Sequence, residues 1–299
     1  MAINSDTTEP PLCAAFDPKP RKPRIAIPRL SCDTHAHVCG PSSHYPYYAK
    51  RTYTPPDSLL SAYQHMLTVL GFERAVLVQP SVYGTDNSAM LDAMKAAGPS
   101  FRGVAALADD ISDEEIQRMH QAGVRGARLN IVDVKDRKPG TLPLRQLKEL
   151  ALRIKPFGWH MEFLMHVDEF PDLDQLLGDF PVDTVFGHVG YMTSPALDNS
   201  GFQALMRLMK AGKAWIKLTG PYRISRLPLP HPDTNVFVHA IIAAASQQVV
   251  WGSDWPHVHI KTSMPNDADL CDLLAEWIPS EIQRKQVLVE NPARLYQFG

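Results

Sequence analysis

Short, continuous apolar runs recur along the chain at 30–35, 74–79, 103–107, 126–129, 160–165, 184–188, 215–218 and 248–251, a pattern that predicts strands buried on both faces. Between them lie amphipathic stretches at 58–70, 87–97, 113–121, 144–155, 168–177, 196–210, 234–246 and 267–277, which predict helices. Several open on breaking or capping residues: Pro56-Asp57, Thr85-Asp86, and Ser112 with Glu115 three positions on. Eight strands alternating with eight helices predict an α/β fold, a (β/α)8 TIM barrel. No Gly-x-Gly-x-x-Gly follows the first strand, which counts against a dinucleotide-binding sheet.

Residues 1–29 break the pattern. Pro10, Pro11, Pro18, Pro20, Pro23 and Pro28 stand among basic residues and resist both helix and central strand, so this segment reads as an arm wrapping the outside or bottom of a barrel catalytic domain at 30–299. With 299 residues, 44% of them hydrophobic, the chain can bury a core of ordinary size. A net charge of -2 with mixed signs offers no field for nucleic acid or an anionic membrane surface. No apolar run approaches the roughly 20 residues of a spanning helix, and no signal-peptide centre is seen, so a soluble, cytoplasmic protein is expected. Cys13, Cys32, Cys39 and Cys271 lack Cys-x-x-Cys spacing and read as free thiols. Homo-oligomer formation stays open.

In such a barrel the active site forms where strands give way to the following loops. The first strand exits through His35-x-His37, whose spacing puts both rings on one face. Later exits supply Gln79-Pro80-Ser81, Arg128 and Asn130, His166, His188, Lys217 through Arg223, and Gly252-Ser253-Asp254-Trp255-Pro256-His257. Singly, Asp254 could be a helix cap, Arg128 a surface ion pair and His188 a core histidine. Together, at successive strand ends, they read as a site.

His35-x-His37, His188 and the Trp251-to-His257 segment resemble the amidohydrolase superfamily. Gly84-Thr85-Asp86-Asn87, the run from Arg125 to Asn130, and the run from Asn291 to Tyr296 resemble more narrowly its lactonase branch, typified by 2-pyrone-4,6-dicarboxylate hydrolase. The resemblance covers roughly Leu30 to Tyr296 and implies a barrel that hydrolyses a small, acid-bearing lactone, its small-molecule partner. Asp254 would then be the general base, taking a proton from the attacking water and handing it to the departing oxygen. His35, His37 and His188 would stabilise the carbonyl oxygen, Arg128 and Arg223 would hold a substrate carboxylate, and Ser81, Tyr53 and His257 would make further substrate contacts.

The chain departs from the dicarboxylate pattern. His188 is followed by Val189-Gly190-Tyr191 instead of Met-Gly-Arg, Ile131-Val132-Asp133-Val134 stands where an Arg is carried, and Val258-His259 replaces Pro-Asn. Acid recognition is therefore expected to differ. The lactonase branch works without a metal, and no lysine follows the fourth strand for carbamylation, so no cofactor is expected. Were zinc or another divalent metal held, its ligands would come from His35, His37, His166, His188 and Asp254. The alternative readings are a metal-dependent decarboxylase and a sugar-acid lactonase.

Overall fold

The computed structural model describes residues 9–134 and 137–299. Eight parallel strands pair in sequence order: β1 (Cys32–Ala36), β2 (Arg74–Val78), β3 (Phe101–Ala105), β4 (Val124–Asn130), β5 (His160–Leu164), β6 (Thr184–Phe186), β7 (Ala214–Leu218) and β8 (Val249–Trp251). The β1–β8 seam closes through the loop after β8. Asp254 N–H donates to His35 O (2.8 Å), His37 N–H donates to Trp255 O (2.7 Å), and Thr34 Oγ1 donates to Trp251 O. This is the expected (β/α)8 barrel.

Helices α1 (Leu60–Leu70), α2 (Ser88–Ala97), α3 (Asp113–Gln121), α4 (Leu144–Ile154), α5 (Leu173–Leu177), α6 (Ser200–Lys210) and α7 (Asn235–Ala245) fill the connections. Ser112 caps α3 by accepting from Glu115 N–H, as its spacing predicts. The fifth helix is shorter than expected because Pro171 follows one 3-10 turn and α5 begins only at Leu173. The eighth breaks at Leu273 into α8 (Asp267–Asp272) and α9 (Leu274–Trp277). The third strand begins two residues before the expected start, and the sixth stops before His188.

The main core lies between sheet and helices. A second cluster of Cys32, Val76, Val78, Val104, Val185, Trp215, Val250, Leu295 and Tyr296 plugs the barrel interior. Asn291 fixes that plug by donating to Ser246 O and Val249 O at the foot of β8. Residues 9–29 run up the outer wall from the foot of β1: Arg24 pairs with Asp272, Asn266 holds Asp17, and Phe16 packs on Trp255. The arm goes further than expected and reaches the rim, where Cys13 bonds to Thr54 O and to the backbone of His259.

Candidate active site

The β1 exit owes its shape to a bulge. Pairing with β2 slips between Asp33 and Ala36, so Asp33 faces out to Tyr63 of α1 while His35 turns into the barrel. Asp33 accepts from Ser253 N–H and Oγ, His35 N–H and Tyr63 Oη, and staples the first and last strand ends. Burial raises its carboxyl to about 6, against the opposing pull of those four donors.

Asp254 is fully buried. Its Oδ2 accepts from Tyr222 Oη (2.7 Å) and Arg223 Nε (2.8 Å), and the Arg223 Nη2 that donates to Val258 O also stands 2.7 Å from it as an ion pair. Burial alone would raise its pKa, but Arg223, joined by the three histidines once acid has charged them, outweighs it and holds the carboxyl well below the usual range. Oδ1 has no partner, nor does His35 Nε2, 3.6 Å away. His37 Nε2 lies 4.0 Å from the same Oδ1. Gly220, at φ +51°, permits the convergence, since a Cβ there would stand 2.8 Å from Asp254 Oδ2 and 3.1 Å from His188 Nδ1.

The histidines are neutral: burial lowers His37 to about 4 and His188 to about 3. Their tautomers follow from their partners. His37 Nδ1 sits 2.7 Å from Val78 O, so it carries the proton and turns the Nε2 lone pair toward Asp254. His188 Nδ1 meets the Thr219 hydroxyl at 2.9 Å; with the hydroxyl as donor, Nε2–H points into the cavity. Beneath His35, Lys217 and Glu162 form a fully buried ion pair (2.6 Å) in the barrel axis, with Lys217 Nζ also on Thr34 O. His35 Nδ1 lies 3.3 Å from Lys217 Nζ and 3.4 Å from Glu162 Oε1. Lysine is donor-only, so accepting from it places the His35 proton on Nε2, facing the cleft.

Nine non-glycine residues among those described have positive φ, and His188, Val189, Tyr191, Asp254, His257 and His259 all belong to the β6 and β8 exits. Such residues cost of order 1–3 kcal/mol each and persist where surrounding structure over-determines them.

A cavity of about 50 Å³ opens in front of this cluster, lined by Tyr53, Ser81, Arg128, Asp133, His188, Tyr191, Arg223 and His259 among others. Tyr53, Ser81 and Arg128 thus stand on its wall. Arg223 does too, with its Nε and Nη2 turned toward Asp254. His257 stands off the wall: fully buried, it meets Tyr222 Oη through Nδ1 (2.9 Å) and Asp267 Oδ1 through Nε2 (3.1 Å), so both its ring nitrogens are engaged by protein groups behind Asp254 and not by the cavity. His166 is outside the cluster, because its Nδ1 bonds to Tyr191 O and the Tyr191 ring stands between it and His188.

Glu162, Lys217, Tyr222 and Asp133 were not assigned roles from the sequence. A charge in phase within the apolar strands His160–Leu164 and Ala214–Leu218 was the available signal for the first two, since a fully buried charge needs a partner.

The amidohydrolase family model matches residues 32–298. The chain belongs to the amidohydrolase family. Among amidohydrolases it is 34% identical over 287 residues to 2-pyrone-4,6-dicarboxylate hydrolase of Comamonas testosteroni, covering 93% of each chain. It is also 34% identical to 4-sulfomuconolactone hydrolase of Hydrogenophaga intermedia, covering 91% of this chain and 90% of that one. A solved structure from Agrobacterium tumefaciens superposes with a TM-score of 0.81 at 28% identity, covering 93% of this chain and 99% of that one.

His35, His188 and Asp254 each offer one ligand atom within 4.8 Å of the others, the spacing of a three-ligand metal site. Among the described residues no helix is long and apolar enough to cross a membrane.

Proposed function

We propose that the protein opens the ring of a small, acid-bearing lactone by attack of water, with Asp254 as general base. The observation that carries this reading is the buried Asp254, fixed through Oδ2 while Oδ1 and the neighbouring His35 Nε2 are left without partners, behind the His188 and Arg223 that line the cavity. The activities named for the two 34%-identical relatives support the same reaction class.

One water can donate to Asp254 Oδ1 and to His37 Nε2 together, turning its lone pair toward the lactone carbonyl carbon. This moves His37 from the carbonyl oxygen, where a neutral ring with its only proton on Val78 O cannot donate, to the water. So acidic a carboxylate is a weak base at rest. It takes the proton as the new C–O bond forms and the attacking water becomes acidic. His35 and His188, with Nε2–H toward the cavity, donate to the developing oxyanion, typically worth about 2.7–4 kcal/mol per donor. As the ring C–O bond breaks, Asp254 returns the proton to the leaving oxygen. Arg128 holds the substrate carboxylate, because its guanidinium fork is not engaged by Asp254.

A zinc ion on His35, His188 and Asp254, with His37 adjacent, would polarise the carbonyl and acidify water. We assign the reaction to protein groups alone because the surroundings oppose a divalent cation. Arg223 already neutralises Asp254, the one anionic donor of the set, and the Lys217 ammonium abuts His35 Nδ1. Proton release from a lactone panel, before and after exhaustive chelation, tests both parts, with a hydroxybenzoate as the decarboxylase control. Ring opening that survives chelation is expected; activity lost and restored by zinc would overturn the metal-free assignment.

A further inference from the structure

The inner cavity presents one uncommitted guanidinium and one carboxylate. Arg223 is engaged with Asp254, whereas Arg128 bonds only to the neutral Gln79 O among the described residues, and its buried Nε has no partner. Asp133 lines the same cavity. Its Oδ2 accepts from Ser81 Oγ (3.1 Å) and Asn130 Nδ2 (2.6 Å), while Asn130 Oδ1 accepts from the backbone N–H groups of Val132 and Asp133. The loop therefore holds this carboxylate in place. No cation among the described residues forms an ion pair with it: Arg128, Arg223 and His259 share the inner cavity wall, and Lys50 and Arg51 stand in the neighbouring outer groove of about 270 Å³, which Asp133 and Arg128 also line.

We infer that Asp133 is a specificity-determining residue that selects lactones with a single acidic group and a ring hydroxyl, an inference resting on the lactone-hydrolase reading above. With the substrate carboxylate on Arg128, the opposite edge of a compact ring meets Asp133. A hydroxyl there donates a charge-assisted hydrogen bond. A second carboxylate brings like charges together where no spare cation stands among the described residues, and a bare edge offers Asp133 Oδ1 no donor.

The test compares kcat/KM for three lactones: a hydroxylated γ-lactone of a six-carbon diacid with one free carboxylate, a butenolide acetic acid without hydroxyls, and 2-pyrone-4,6-dicarboxylate. Wild type is expected to favour the first over the last by roughly 10- to 100-fold, the size of one charged hydrogen bond made or lost. Asp133→Asn should reduce that ratio roughly 10-fold, mainly by improving the dicarboxylate. Because the ratio is taken within each variant, loss of active protein cancels, and the wild-type ranking stands if the variant fails to fold. Wild type preferring the dicarboxylate, or an unchanged ratio in Asp133→Asn, overturns the role of Asp133 and leaves the hydrolase reading intact. Wild type opening none of the three overturns both.

Discussion

The two halves of the barrel mouth are built differently. On the side of β1, β6, β7 and β8, His35, His37, His188, Thr219, Asp254 and His257 are all nearly inaccessible to solvent, and most of their polar atoms have a protein partner. On the side of β2 and β4, Ser81, Arg128, Asn130 and Asp133 are partly exposed, with Ser81, Asn130 and Asp133 in one small side-chain network. The first half combines desolvated charge with left-handed backbone at six positions, and only its mutual hydrogen bonds keep that arrangement stable. The second can change a side chain without disturbing the base. Rate should therefore reside in the first half and substrate choice in the second.

The largest expected effects lie in the buried half. Asp254→Asn keeps the shape and removes the base, and turnover should fall by roughly 10²- to 10⁴-fold in a steady-state assay. Near-normal turnover would mean that the chemistry is not where the hydrogen bonds converge. Lys217→Met leaves Glu162 buried without its cation and should cost about 3–5 kcal/mol in denaturant unfolding. Adding Glu162→Leu should recover most of that loss, since an apolar pair of similar volume needs no partner. No recovery would show that the pair does more than neutralise itself beneath His35.

The sequence makes these halves legible to different degrees. His35, His37, His188 and Asp254 stand out because a polar residue at a barrel strand's end has no packing role there. Their partners do not, because the pairing of Arg223 with Asp254 and of Lys217 with Glu162 joins loops or strands far apart in the chain. His257 misleads for a local reason. It follows Asp254 by three residues, but positive φ at both positions turns the backbone so that Asp254 faces the histidine cluster and His257 packs behind Tyr222. His166 misleads because only the fold shows Tyr191 lying across its path. Asp133 is visible in the sequence only as the absence of an expected arginine.

Arginines in the two halves should respond differently. Arg128→Met should raise KM roughly 10-fold with little change in kcat, the loss of one charge-assisted contact. An unchanged KM would place the acid group elsewhere. Arg223→Met should instead lower kcat, because it removes the cation that keeps Asp254 ionised. Asp254 is depressed in the wild type, so its ionised form persists as pH falls. Without Arg223 its pKa rises, and the acid limb of the kcat profile should move to higher pH. Equal effects of both variants on KM alone would erase the distinction between the halves.

The smallest effect is expected at the back of the base. Tyr222 Oη lies 2.7 Å from Asp254 Oδ2 and 2.9 Å from His257 Nδ1, and His257 is held in turn by Asp267. Tyr222→Phe removes one neutral donor from Oδ2 but leaves both Arg223 contacts, so kcat should fall roughly 3- to 10-fold, the worth of a single uncharged hydrogen bond. Two signatures separate positioning from packing. KM should stay constant, because Tyr222 bonds to the base through Oδ2, away from the unpartnered Oδ1 that faces the water. The acid limb should also shift in the same direction as in Arg223→Met, by a smaller amount, because the lost donor had favoured the carboxylate. His257→Asn should reproduce the shift only in part, since Tyr222 can still donate to Asp254. A fall in kcat with no movement of the pH profile would reduce Tyr222 to a space-filling ring and confine control of the base to Arg223.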